Sequence, residues 1–130
     1  MRVSEAMSRE LTTAGPATTI AEAASLMSQR RVGSTLVVQG DQLVGIFTER
    51  DIVRAVSHDA GAMRAPLEHW MTRRPKTISA DADLDRALKV MIDGHFRHLP
   101  VVEEGRLVGM ISMRDVSRVS LGQDQGASLG

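Results

Sequence analysis

The stretches that decide the fold are Leu43-Val44-Gly45-Ile46-Phe47-Thr48-Glu49-Arg50-Asp51 and Leu107-Val108-Gly109-Met110-Ile111-Ser112-Met113-Arg114-Asp115. They are identical at Leu-Val-Gly and at Arg-Asp, and two apolar residues follow each glycine. Each passes from an apolar, β-rich run to a hydroxyl residue that is followed three positions later by aspartate. This pattern predicts a strand followed directly by a helix, twice in one chain.

The match extends outward from these stretches, because residues 3–57 lie on residues 67–121 without a gap. An apolar stripe with the spacing of an amphipathic helix precedes each stretch. Thr19 and Asp83 are the expected N-caps of these helices, and Gly94 is the expected C-cap in the second copy only. The stripes consist of Ile20, Ala23, Ala24 and Met27 in the first copy, and of Leu84, Ala87, Leu88 and Met91 in the second.

Two short β-rich runs follow each of these helices and predict a hairpin. A second helix is expected to begin at Glu49 and at Met113, with Ile52, Val53 and Val56 facing the core in the first copy. The predicted strands are Ser34–Gln39 and Gln42–Thr48, joined at Gly40-Asp41, and His98–Val102 and Arg106–Ser112, joined through Glu103-Glu104-Gly105.

The predicted fold class is therefore α/β (α+β), with two helix–strand–strand–helix units. One unit cannot cover both faces of its hairpin, so we expect a pseudo-twofold pair packed sheet to sheet. We place the units at 1–61 and 62–120. Residues 58–66 are expected to form a linker, and the Gly-, Ser- and Gln-rich residues 121–130 a flexible tail.

The composition narrows the possible partners. Sixteen basic and sixteen acidic residues cancel, so no overall charge attracts nucleic acid or an anionic membrane. Phe47, Phe96 and Trp70 are too few aromatic residues to stack single-stranded nucleic acid. The chain has no cysteine, no apolar run of about 20 residues and no signal-peptide core. We expect a cytoplasmic protein with neither nucleic acid nor membrane as partner.

With the two opening stretches and Gly94-His95-Phe96-Arg97-His98-Leu99-Pro100-Val101-Val102, the chain resembles a tandem pair of CBS domains, the regulatory module also called a Bateman domain. The resemblance covers residues 3–119. Members commonly bind AMP, ADP, ATP, S-adenosylmethionine or another adenosyl ligand in the clefts between the units, and they commonly form homodimers. It implies a regulatory adenine-nucleotide ligand, no catalytic cofactor, a homodimer, and an unidentified regulated protein.

The pairs Thr48-x-x-Asp51 and Ser112-x-x-Asp115 are the first candidate ligand residues. Each pair also has the spacing of a capping box, which is the purely structural interpretation. A carboxylate can nevertheless accept both hydroxyls of a ribose, and a helix N-terminus attracts phosphate. The resemblance implies that the aspartate binds the ribose and that the hydroxyl lies beside the phosphate.

The remaining candidates are polar or small residues around these pairs. Ile78 and the leading threonines are expected near adenine, and the basic residues near phosphate. The alternatives are an edge strand and solvated surface side chains, and a metal is not expected because the histidine pair lacks a third ligand. These candidates are Thr13, Thr77, Ile78, Gly33, Ser34, His95, Arg97, His98, Pro100, Arg50 and Arg114.

Three functions are compared on this basis. A nucleotide-sensing regulatory module fits the candidates best, and the second copy has the better ligand set. Catalysis is not expected, because no phosphate loop, nucleophile elbow, metalloprotease motif or cysteine is present. A structural dimerisation or adaptor module without ligand is the alternative, since the first copy has no counterpart of His98, Arg97 or Pro100.

Overall fold

The structure is a computed structural model that describes the backbone of residues 1–129 and the side chains of residues 1–122. Its elements follow the predicted order in both copies. They are α1 (Val3–Ala6), β1 (Thr13–Ala14), α2 (Ile20–Arg30), β2 (Ser34–Gln39), β3 (Gln42–Thr48), α3 (Glu49–His58), β4 (Thr72–Arg73), α4 (Leu84–Gly94), β5 (His98–Glu103), β6 (Arg106–Ser112) and α5 (Met113–Leu129).

These bounds confirm the predicted fold class and hairpins. Both helices after the hairpins begin at the predicted residues, Glu49 and Met113. The hairpin turns contain Gly40 with φ 62° and Gly105 with φ 77°, the left-handed conformation that glycine adopts without strain. The packing of the two sheets against each other stays a prediction.

The chain divides into two compact units that do not coincide with the two sequence copies. One unit is Leu11–Pro75, and the other combines Met1–Glu10 with the chain from Lys76 onward. The predicted boundaries of 1–61 and 62–120 thus differ from the compact units. Each unit has its hairpin and helices from one copy and its outermost segment from the beginning of the other copy.

The edge strands show how the copies exchange these segments. In the first unit β1 pairs in parallel with β2, and β4 pairs antiparallel with β3. In the other unit Ile78 bridges Val101 in parallel, and Ser8 bridges Met110 antiparallel. Both hairpins are therefore flanked on both edges, which shields strand edges from unwanted pairing.

Two glycines make this close approach possible. A Cβ atom at Gly45 would lie 2.5 Å from the Met71 sulfur and 3.0 Å from the Thr72 carbonyl oxygen. A Cβ atom at Gly109 would lie 2.5 Å from the Met7 sulfur and 3.0 Å from the Ser8 carbonyl oxygen. The glycine of each Leu-Val-Gly run is needed because a segment from the other copy lies against it.

Each unit has its own apolar core between helices and sheet, and three of the four residues of each predicted helix stripe are buried, whereas Ala24 and Leu88 are half-buried. The first core contains Ile20, Ala23, Met27, Val37, Phe47, Ala55, Ala62, Leu67 and Met71, and the second contains Val3, Ala6, Ile78, Ala80, Leu84, Ala87, Met91, Leu99, Val101, Ile111 and Val116.

Residues 1–129 contain no helix that is long and apolar enough to span a membrane.

The prediction that Gly94 is a C-cap is wrong. Gly94 is the last residue of α4, and the left-handed C-cap is His95 with φ 58°, as it is Arg31 with φ 55° after α2. Gly94 is small for another reason, because a Cβ atom there would collide with the Phe96 ring. The two helices therefore end alike.

The predicted inward face of α3 is wrong for two of its three residues. Val53 is 69% exposed and Val56 is 43% exposed, whereas Ile52 packs partly against the core. The buried side of the helix contains Asp51 and Ala55. The buried carboxylate fixes the rotation of the helix and turns both valines outward.

The predicted linker at 58–66 is ordered. Asp59 caps a 3-10 helix at Ala60–Arg64 by accepting the Gly61 amide proton, and Ala62 of this helix lies in the core. The predicted tail is helical as far as Leu129, because α5 continues through it. Its flexibility stays a prediction, and Gly130 lies outside the described residues.

The close approach of Met7 and Ser8 to Gly109 can be tested by substitution. Gly109→Ala is expected to lower the free energy of unfolding by about 1–3 kcal/mol, since the added methyl group must displace Met7 and backbone. Urea unfolding measures this change. The matched control is Gly122→Ala in α5, where nothing lies within 4 Å and alanine favours the helix. Equal effects of the two substitutions would contradict the close approach.

Candidate functional site

The junction of β6 and α5 holds the Ser112–Asp115 pair. Asp115 Oδ2 accepts the Ser112 amide proton at 2.9 Å and the Ser112 hydroxyl proton at 2.9 Å. The Asp115 amide donates to Ser112 Oγ at 3.1 Å. Asp115 is 8% exposed, so its carboxylate is buried at the beginning of a helix.

The junction of β3 and α3 repeats this arrangement. Asp51 Oδ2 accepts the Thr48 amide proton at 2.9 Å and the Thr48 hydroxyl proton at 3.3 Å. The reciprocal hydrogen bond from the Asp51 amide to the Thr48 side chain completes the capping box. Asp51 is 6% exposed. The structural interpretation of both pairs as capping boxes is therefore realised in the geometry.

The other carboxylate oxygen of each aspartate binds an arginine one helical turn later. Arg118 Nη2 lies 2.7 Å from Asp115 Oδ1, and Arg54 Nη2 lies 3.2 Å from Asp51 Oδ1. Sequence analysis did not assign a role to either arginine. Their identical positions in the two copies and the favourable i,i+3 spacing from aspartate were the available signal.

Two predicted basic residues, Arg97 and His98, are backbone neighbours of the β6–α5 junction within the same unit. His98 lies opposite Ser112 in the β5–β6 register, and the Arg97 carbonyl accepts the Met113 amide proton at 2.9 Å. The side chains of Arg97 and Arg114 are exposed, the latter in the first turn of α5. His95 is also exposed, at the C-cap of α4. The β6–α5 junction thus combines a buried carboxylate with exposed arginine side chains at neighbouring positions.

The residues of this unit that were predicted to contact adenine are mostly buried in the fold. Ile78 is 7% exposed and belongs to the apolar core. Its amide donates to the Pro100 carbonyl at 3.0 Å, and its own carbonyl accepts the Val102 amide proton. Pro100 is fully buried, whereas Thr77 is exposed. Of these residues, Thr77 has the side chain with free surface for a ligand.

The corresponding residues of the first unit occupy the same backbone positions but have different side chains. Thr13 in β1 pairs with Leu36 and is exposed. Ser34 is buried opposite Thr48, and the Gly33 carbonyl accepts the Glu49 amide proton at 3.1 Å. Arg50, exposed in the first turn of α3, and Arg31, which matches His95, are the basic residues here, whereas Gly33 and Ser34 match Arg97 and His98. The second unit therefore has the more cationic junction.

Neither junction has a metal-binding arrangement. Among the described residues, no group of three or more His, Cys, Asp or Glu side chains is placed to hold an ion. The chemistry that the junctions offer is acceptance of hydrogen bonds by a buried carboxylate, with backbone N–H groups and cationic side chains nearby.

Fold and junctions together define a duplicated α/β module with a buried hydroxyl–aspartate pair at two helix starts. The family model for the CBS domain matches residues 3–58 and 67–122. The chain belongs to the CBS domain family, and it contains two copies of that domain.

Comparison with individual proteins agrees with this assignment. An uncharacterised 17.7 kDa protein of Acidianus ambivalens is 38% identical over 92% of this chain and 73% of that protein. The CBS domain pair of protein MJ0100, solved with 5′-methylthioadenosine and S-adenosyl-L-methionine, has a TM-score of 0.87 and 28% identity over 95% of this chain and 98% of its own. Protein PAE2072 of Pyrobaculum aerophilum, solved with AMP, has a TM-score of 0.82 and 29% identity over 88% and 89%.

The capping box gives a prediction that needs no ligand. Asp115→Ala is expected to lower the free energy of unfolding by about 1–2 kcal/mol, because the Ser112 amide and hydroxyl lose their common acceptor and the capping box is left with one of its two reciprocal bonds. Urea unfolding of the ligand-free protein checks this value. The control is Asp85→Ala, an exposed acid in the first turn of α4, with an expected change within about 0.5 kcal/mol. Equal losses would show that Asp115 is not a structural cap.

Proposed function

We propose that this protein is a regulatory module that binds an adenine nucleotide or another adenosyl ligand and passes the binding event to a partner. The ribose lies on the buried aspartate of a strand–helix junction, and any phosphate lies beside the hydroxyl and the cationic side chains. The module acts by changing conformation and not by catalysis, and the ligand is not consumed.

The observation that carries this proposal is the junction of β6 and α5. A carboxylate of 8% exposure at a helix start has strong acceptor oxygens where water is scarce. His98 lies opposite Ser112 in the strand register, Arg97 precedes His98 and Arg114 precedes Asp115 in the chain, so a ligand with hydroxyls at one end and negative charge at the other suits the site. A nucleotide has both features.

Two structural relatives support the ligand class. MJ0100 was solved with two adenosyl compounds and PAE2072 with AMP. The adenosyl group is common to these ligands, whereas the 5′ substituent differs. We therefore propose adenosyl recognition as the shared feature and assign the junction of β6 and α5 as its main site in this chain.

A homodimer is the second part of the proposal, and one observation favours it. Val53 and Val56 are one turn apart on α3 and both are exposed. Exposed apolar residues on helices suit association with a second copy. A dimerisation module without ligand, the alternative function, would rest on this surface alone.

Ligand binding is tested first on the intact chain. Calorimetry with AMP, ADP, ATP, S-adenosylmethionine and 5′-methylthioadenosine is expected to show binding of at least one of them. Bound ligand at 100 times its Kd stabilises the fold by about 2.7 kcal/mol, which a thermal-shift assay detects. Asp115→Ala is expected to weaken binding by about 1.5–3 kcal/mol, the scale of a lost charge-assisted hydrogen bond.

Asp51→Ala is the matched control for this substitution, because it removes the corresponding carboxylate from the less cationic junction. A smaller loss of affinity is expected than for Asp115→Ala. If no adenosyl compound binds, the function without ligand replaces the proposal. If binding survives both substitutions unchanged, the ribose assignment is wrong.

Association is tested by light scattering after size exclusion. The wild-type protein is expected at twice the 14.1 kDa mass of the chain. Val53→Glu places a charge in the proposed interface and is expected to shift the protein toward the monomer mass. Gln29→Glu on the exposed part of α2 is the control and leaves the mass unchanged. A monomeric wild-type protein would contradict the dimer.

A further inference from the structure

The two arginines that pair with the buried aspartates are held in different ways. Arg54 Nη2 donates at 3.2 Å to Asp51 Oδ1 and at 2.9 Å to the Trp70 carbonyl oxygen. Its guanidinium carbon also lies 5.5 Å from the centroid of the Trp70 ring, within the range of a cation–π contact. Three interactions therefore keep Arg54 beside Asp51.

Arg118 has a single anchor among the residues whose side chains are described. It donates at 2.7 Å to Asp115 Oδ1, and its side chain is 68% exposed. The residue that matches Trp70 in this unit is Ala6, which is buried and has no ring. When Arg118 leaves Asp115, water hydrates the exposed guanidinium and the ribose hydroxyls replace it as donors to the buried carboxylate, so the net loss is small.

Counting acceptor positions shows why the mobility of the arginine matters. A carboxylate offers about four acceptor positions. Asp115 uses three of them, two on Oδ2 for Ser112 and one on Oδ1 for Arg118. One position is left for a ligand, whereas the two ribose hydroxyls require two. A ribose that donates both hydroxyl protons to Asp115 must therefore displace Arg118.

We infer that Arg118 is a releasable counter-ion that competes with ribose for Asp115, whereas Arg54 is a fixed counter-ion that keeps Asp51 occupied. Arg118 thereby sets the affinity for ribose. Its release on binding frees a cation on α5 for a new contact. Arg54 keeps a ribose from donating both hydroxyl protons to Asp51, which makes one tightly bound adenosyl ligand per chain the expected stoichiometry. This inference rests on the proposed function and names the site and the residue that controls it.

Adenosine and 2′-deoxyadenosine are the probes, because both are uncharged and Arg118 has no phosphate to attract. Arg118→Met keeps the aliphatic part of the side chain and removes the competing charge. It is expected to raise adenosine affinity about two- to fivefold, which corresponds to an exposed ion pair. Affinity for 2′-deoxyadenosine, which needs only the position already open, is expected to stay unchanged.

Arg54→Met is the matched control in the other unit. It is expected to leave adenosine affinity at the Asp115 site unchanged and to open a second adenosine site at Asp51, because the blocking charge is gone. It is also expected to lower the melting temperature, because the Trp70 contacts are lost. The salt dependence of adenosine binding to the wild-type protein is a second measurement of the same competition. Raising the salt to about 0.5 M screens the ion pair and is expected to strengthen adenosine binding, and this salt effect is absent in Arg118→Met.

The outcomes separate the two proposals. Absence of binding of every adenosyl compound overturns the proposed function. Binding that Asp115→Ala leaves intact overturns the ribose assignment. Binding that depends on Asp115 but is unchanged in Arg118→Met, or that rises equally for both nucleosides, overturns the competition by Arg118. Two equivalent adenosine sites per wild-type chain overturn the blocking role of Arg54.

Discussion

A buried carboxylate needs hydrogen-bond donors in place of water. Asp51 and Asp115 both accept hydrogen bonds from donors at the beginning of a helix. The amide and hydroxyl of Ser112 bind one oxygen of Asp115, and an arginine one turn later binds the other. The same bonds fix where α5 begins and how it is rotated. In α3, burial of Asp51 turns Val53 and Val56 to the surface. The buried aspartate thus fixes where the helix begins and which face of it is buried, and its carboxylate is the acceptor that a ribose would meet.

The hairpin that leads to each buried aspartate is completed by segments that the two copies exchange. Each hairpin is completed by a strand from its own copy and a segment from the other, and the glycine of each Leu-Val-Gly run leaves space for that segment. A unit therefore depends on both copies of the duplicated sequence. Duplication preserves the fold-bearing positions, whereas the side chains around the two carboxylates differ. The result is two junctions of the same backbone design with unequal charge and unequal freedom of the paired arginine.

The hairpins and the starts of the helices could be predicted closely from sequence, because strand alternation, turn glycines and the hydroxyl–aspartate spacing are local signals. The edge partners could not, since Ser8 and Thr72 reach their strands through contacts distant in sequence. The face of α3 was predicted wrongly because apolar residues were assumed to point inward, whereas a hydrogen-bonded aspartate is buried there instead. The candidate residues at the β6–α5 junction were visible in the sequence, and so was the replacement of Trp70 by Ala6. The ion pair of Arg118 with Asp115 and the contacts of Trp70 with Arg54 required the structure.

The central claim is that the buried carboxylate that caps α5 is also the ligand acceptor. Amide nitrogen–proton NMR spectra during titration with AMP test it most directly, because the Ser112 and Asp115 amides report on the capping bonds themselves. The predicted result is that these two amides shift more on AMP binding than the corresponding amides of Thr48 and Asp51. A titration that leaves the Ser112 and Asp115 amides unmoved, whether AMP binds elsewhere or not at all, would contradict the account.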